Sequence, residues 1–405
     1  MPFPAGLRAL NHRDFRIFWT GQGISLLGTW MQSVGQSWLV LELTNSAFLL
    51  GVVGALQFAP ILFFSVFAGA VVDRLPKRRL IIGTQTVLLL QAFILSILAW
   101  TGHVQYWHVA VLAWLLGTVN TMDMPARQSF IVELAGTEDL MNAIALNSAV
   151  FNGARIVGPA VAGLLVAKYG VALAFFLNGV SFVAVIAALL AIRTEGFPHR
   201  HRGTTMLQEI REGIRYAVTT PRVSLVLSVL FVVSMLVINH GTLVPLLARE
   251  VLHQGAQGFG FLMAALGAGA LSGALVLTLL RQGRPPITLV VVPAAVACAA
   301  TAAMVGVHQV WLAALVLLVI GFAQIVFTAC CNTTLQLGVP GELRGRMMSL
   351  YAFVFAGVSP IGALFVGSIA QAFGTLAAYG AGGGLGLLCV LLLGAHWRYR
   401  GQARE

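Results

Sequence analysis

Residues 69–79 read GAVVDRLPKRR, a single aspartate among clustered bases, set between two long apolar stretches. Charges avoid hydrocarbon, so apolar helices joined by a turn this basic place that turn on a membrane face. The composition agrees. The chain is 59% hydrophobic and 9% charged, whereas soluble domains carry roughly 25% charged residues. A soluble chain of this length would lack the polar groups to cover its surface.

Outward from the turn, apolar stretches of about 20 residues recur, the length that crosses a bilayer. Twelve spans are expected, at 15–41, 46–72, 80–101, 106–125, 142–167, 171–192, 222–247, 257–280, 286–306, 310–333, 346–370 and 375–396. The opening MPFPAGLRALNHRDFR is polar, so no cleavable signal peptide is read there and the first span directs insertion. With both termini inside, all 24 bases except Lys168, Arg249 and mid-span Arg155 fall on the inner side. That asymmetry satisfies the positive-inside rule. The net charge of +11 then reflects topology and anionic lipid, and no nucleic-acid partner is expected.

The longest stretch between spans, about Arg193 to Arg222, divides the chain into an N-terminal six-span bundle (1–192), a linker (193–221) and a C-terminal bundle (222–405). Within the linker, Met206, Leu207, Ile210 and Ile214 recur at helical spacing, which predicts a short helix ended by Pro221. It is either amphipathic on the inner membrane face or merely solvated. The halves also repeat. EDLMNAIALNSAVFNGARIVGPAVAGLL, from Glu138, and GELRGRMMSLYAFVFAGVSPIGALFVGS, from Gly341, each run from an acidic-leucine turn through a helix to a proline.

Several polar residues lie inside spans. Gln22, Ser25, Thr29, Gln32 and Gln36 share one face of the first span. Lipid cannot satisfy such groups, so they line a cavity or bond neighbouring helices; Gln32 and Gln36 are the expected ligand contacts, with Trp30 and Trp38 near that wall. Ser148, Asn152 and Arg155 share a face of the fifth span. Arg155 either receives a carboxylate or phosphate or braces helix ends. Asn239 and His240 stand in the seventh span and Gln324, Thr328 and Asn332 on one face of the tenth. Glu42, Asp123 and His240 are the titratable side chains within or next to spans that could take up a proton there. Cys298, Cys330, Cys331 and Cys389 lack metal-ligand spacing and read as packing residues. GAGGGLG, from Gly380, has no Walker lysine. No nucleophile–base pair appears, so neither an enzyme nor a cofactor is expected.

The pattern G-x-x-x-D-R-x-x-K-R-R resembles the loop between helices 2 and 3 of the major facilitator superfamily, where glycine usually replaces Pro76. FRIFWTGQGISLLGTWMQ, PARQSF and NGARIVGPAVAG are similar to its bacterial branch containing the enterobactin exporter and macrolide efflux proteins. The resemblance implies an all-α membrane fold of two pseudo-symmetric six-helix bundles and alternating access. It further implies that Asp73 caps the eleventh span beside Arg344 and Arg346, with Gly69, Arg74, Lys77, Arg78 and Asp123 in the same gate. Gly153-x4-Gly158-Pro159-x3-Gly163 resembles the helix 5 motif of antiporters, which favours export. The implied protein is a monomeric inner-membrane exporter of amphipathic drugs or siderophore-like metabolites, driven by protons. An uptake permease and a non-transporting receptor or scaffold are the alternatives.

Overall fold

Long apolar runs form helices in hydrocarbon because a helix satisfies its backbone polar groups internally. The computed structural model describes residues 5–136, 138–196, 206–279 and 284–401, and no strand occurs among them. The first half contains α1 (Arg13–Thr44), α2 (Ala47–Arg74), α3 (Lys77–Trp100), α4 (Tyr106–Ala135), α5 (Leu140–Tyr169) and α6 (Val171–Ala191). After α7 (Met206–Thr219) come α8 (Pro221–Leu236), α9 (His240–Leu246), α10 (Ala256–Leu279) and α11 (Thr288–Ala303). The chain continues through α12 (Val310–Gly338), α13 (Gly341–Ala352), α14 (Ser359–Phe373) and α15 (Thr375–Gly401).

Among the described residues, 11 segments are long and apolar enough to cross a membrane. The 32-residue α1 has the length as well, but its glutamine stripe sets it apart in hydropathy. With α1 the count reaches the expected twelve. Two spans are assembled from pieces. The seventh is α8 and α9 with residues 237–239 between them, and the eleventh is α13 and α14 joined through a π-turn, Phe353–Gly357.

The basic turn is shorter than the sequence reading drew it. Helix α2 continues through Arg74 and α3 starts at Lys77, so only Leu75 and Pro76 turn. Pro76 is the N-cap of α3, with φ −58. Its fixed φ and absent N–H suit the edge of a helix and not its interior. The linker helix α7 ends where Pro221 opens α8, and its Ile214 and Val218 are exposed.

The chain divides into two compact units. One holds α1, α2 from Ala59, α3 to α6 and the first turns of α10 up to Ala264; the other holds Ser46–Phe58, α7 to α9, α10 from Ala265 and α11 to α15. In the first unit, Phe15, Phe18, Ile81, Phe130 and Leu189 are buried together, with the Phe18 and Phe130 rings edge-on at 5.8 Å. In the second, Val226, Leu230, Phe327, Cys331 and Leu335 share a core. The buried Cys298, Cys330 and Cys331 are free thiols, as packing residues are. Exposed Ile97, Trp100, Leu164, Leu190, Trp311 and Leu392 face the hydrocarbon in the membrane.

Within the first unit α5 and α10 meet through glycine. A Cβ on Gly260 would lie 2.5 Å from the Pro159 carbonyl oxygen and 2.7 Å from Gly163 Cα, both backbone atoms. Gly260→Val is therefore expected to force the helices apart, at about 1–3 kcal/mol for overpacking. Thermal unfolding of the detergent-purified protein checks it. A lowered midpoint is expected, and one equal to the parent's would contradict the packing.

Candidate functional site

The polar stripe of α1 turns into its own bundle. Gln32 is buried; Asn178 Nδ2 donates to its Oε1 at 2.6 Å, and its Nε2 donates to Gln91 Oε1 at 2.9 Å. Gln22 Nε2 donates to Asn147 Oδ1 at 2.8 Å. Ser25 and Gln36 are buried, whereas Thr29 is exposed and donates to the Ser25 carbonyl at 2.9 Å. Gln32, expected at a ligand, thus spends both ends of its amide on α3 and α6. Period alone assigns these residues one face without naming the neighbour. Gln91, Asn178 and Ser181, polar residues in apolar spans, were the unread signal for this cluster.

The bases after Pro76 bind the inner rim of the first unit. Lys77 pairs with Glu133, their side chains 2% and 18% exposed. Arg78 Nε and Nη2 donate to the carbonyls of Leu189 and Leu190 at 2.7 and 3.0 Å, the orphan acceptors at the end of α6. Its backbone N–H donates to the Glu195 carbonyl at 3.1 Å. Asp14 clasps the same segment, accepting from Thr194 N, Thr194 Oγ1 and Arg193 N. Burial pulls the Asp14 carboxyl upward, but these donors and Arg13 hold it below its ordinary value. Arg74 is exposed. Gly69, Asp73 and Arg344 lie outside the described side chains, and with them the expected cap on the eleventh span. Arg346, at its start, pairs with Glu212 of α7.

Asp123 is not in the Lys77 pair. Its Oδ1 accepts from Thr84 Oγ1 at 2.6 Å and Gln85 Nε2 at 2.9 Å, and its Oδ2 from Arg127 Nε at 2.6 Å. Both carboxylate oxygens are thus engaged by neighbouring donors. Glu42 is exposed at the end of α1 and accepts from Trp38 Nε1 at 2.7 Å. His240 is different: it is buried at 9% exposure, and its Nε2 lies 2.7 Å from Gln324 Oε1. It opens α9 where the seventh span breaks. Asn239 beside it, also buried, donates from Nδ2 to the Met235 carbonyl at 2.8 Å.

On α5, Ser148 is exposed, and Asn152 Nδ2 donates to its carbonyl at 2.8 Å. Arg155 lies over the Trp30 ring, 5.8 Å from its centroid, and no ion pair holds it among the described residues. Gly158 lets α1 approach α5, since a Cβ there would sit 2.5 Å from Trp30 Cβ. Among the described residues, no group of three or more His, Cys, Asp or Glu is placed to hold a metal ion.

Paired six-span halves, a broken seventh span and polar residues at membrane depth define a multi-pass membrane transporter. The family model described as transmembrane secretion effector matches residues 5–404, and the chain belongs to that family, within the major facilitator superfamily. It is similar to the staphyloferrin A transporter of Staphylococcus aureus, 24% identical over 93% of this chain and 94% of the relative. The multidrug efflux pump Tap of Mycolicibacterium fortuitum is 28% identical over 89% of this chain and 88% of its own. In fold the chain resembles a POT family transporter bound to a thioalcohol-conjugated peptide, with a TM-score of 0.78, 9% identity and 96% of each chain covered.

Proposed function

We propose that this protein exports amphipathic small molecules from a bacterial cytoplasm across the inner membrane, in exchange for protons, with both termini inside. The observation that carries the reading is His240 hydrogen-bonded to Gln324 at the break in the seventh span. A non-helical backbone at membrane depth is tolerated where protein or a watered cavity satisfies it, and broken helices mark transport sites. Asp123 is spent in its hydrogen bonds and Glu42 is exposed, so His240 is the proton carrier in this reading. The full-length family match supports secretion, and relatives named for a siderophore and for several drugs support an amphipathic cargo. The protein acts as a monomer.

The asymmetry of the bases supports the orientation. Helix α5, with its close contact at Gly163, and the Lys77, Arg78 and Arg346 contacts form the parts that alternate. Inside-out vesicles with an acidified lumen test the whole reading. Amphipathic dyes are expected to accumulate in the lumen and to leave when an uncoupler collapses the gradient. Folded protein that moves no compound in response to the gradient overturns antiport.

A further inference from the structure

Arg155 stands near the middle of the 30-residue α5, where a guanidinium is costly unless something meets its charge. The polar side chains next to it and to Trp30 along the chain bond their own helices. Asn152 bonds the carbonyl of its own helix at Ser148, and Thr29 that of Ser25. Arg155 instead has an aromatic neighbour, the Trp30 face. A ring face attracts the cation without consuming any of its five N–H donors. Phe151, 40% exposed, meets the Trp30 ring edge-on at 5.9 Å and extends the aromatic surface beside the charge. Gly158 fixes the indole: its Cα hydrogen allows the α1 backbone close, with Leu27 O 3.1 Å from where a Cβ would be.

We propose that Arg155, Trp30 and Phe151 form a subsite for the carboxylate end of an amphipathic aromatic cargo. This rests on the exporter reading and names the chemical class that such an exporter takes. The guanidinium fork accepts a planar anion through two parallel hydrogen bonds, and the rings take the flat apolar part next to it. An anion there would balance a guanidinium that has no ion pair among the described residues. A bracing role, with the guanidinium on helix-end carbonyls, would require contacts that Arg78 makes and Arg155 does not.

The test uses a matched pair of probes, 1-naphthaleneacetate and its neutral amide, on purified full-length protein in phosphatidylcholine nanodiscs. Equilibrium binding is expected to favour the carboxylate by about tenfold, the scale of one charge-assisted contact. Arg155→Ala should bring the ratio of the two affinities near one, and Arg155→Lys, which keeps charge but loses the fork, should leave it intermediate. A wild-type protein that binds the two probes equally, or binds neither, overturns the subsite, as does a preference that survives in Arg155→Ala. If the alanine variant fails to fold, the wild-type ratio and the lysine variant decide. Phosphatidylglycerol in the disc separates cargo from lipid: abolition of the preference by this lipid would reassign the anion to a headgroup and overturn the cargo subsite. The exporter reading fails separately, through absence of gradient-driven dye movement in the wild type, whatever the binding ratio.

Discussion

Lys77→Met is expected to lower the unfolding midpoint of the detergent-solubilised protein by roughly 6–12 °C, from about 3 kcal/mol lost in a bundle of this size. The Lys77 side chain is 2% exposed and pairs with Glu133 across the start of α3 and the end of α4. Removing one member of a buried ion pair costs about 3–5 kcal/mol. Glu133 retains 18% exposure, so water offsets part of the loss and the lower end of that range applies. The reverse change should be worse. Glu133→Leu leaves the more deeply buried partner charged, so its midpoint should fall below that of Lys77→Met. The double variant Lys77→Met/Glu133→Leu should recover most of the loss, because two apolar groups leave no charge behind. Differential scanning fluorimetry on the three variants decides the matter. Equal midpoints for all of them and the parent would show that the pair carries no stability.

These contacts set the bounds of what could be read from the residues. Span number was legible because hydrocarbon demands about 20 apolar residues at each crossing. The polar face of α1 was legible in the spacing of Gln22, Ser25, Thr29, Gln32 and Gln36. Its partners were not, because a period gives a face and not the helix that packs on it. Gln32 bonded to Gln91 and Asn178 shows the difference. The basic turn was legible as charge placement, while the pairing of Lys77 with Glu133 depends on how α4 ends beside α3. Glu133 was therefore missed. Arg155 was legible from position alone, since one cation in mid-span stands out. Its stacking on Trp30 needed the α1–α5 crossing that Gly158 permits. The broken seventh span had no such warning. Asn239 and His240 interrupt an otherwise apolar run, and nothing in their identity marks the break.

His240→Gln is expected to abolish proton-driven accumulation, at least about tenfold, while leaving the protein folded. The argument follows from which titratable groups the fold leaves available. Asp123 already accepts from Arg127, Thr84 and Gln85 through both of its oxygens. Glu42 is exposed at the end of α1, beside Trp38. His240 is buried and bonded to Gln324 at a break in its span. Under the proposed antiport this imidazole takes a proton from the outer side and releases it to the inner side. Neutral glutamine reproduces an amide partner for Gln324 but cannot carry the proton. The expected signature is a split. In proteoliposomes, uphill export driven by a pH difference should vanish. Downhill exchange of cargo for cargo needs no net proton movement, so it should persist at a measurable rate. Uphill accumulation equal to the parent's in His240→Gln would take coupling away from this histidine. Loss of downhill exchange as well, with a normal unfolding midpoint, would instead make His240 a cargo contact.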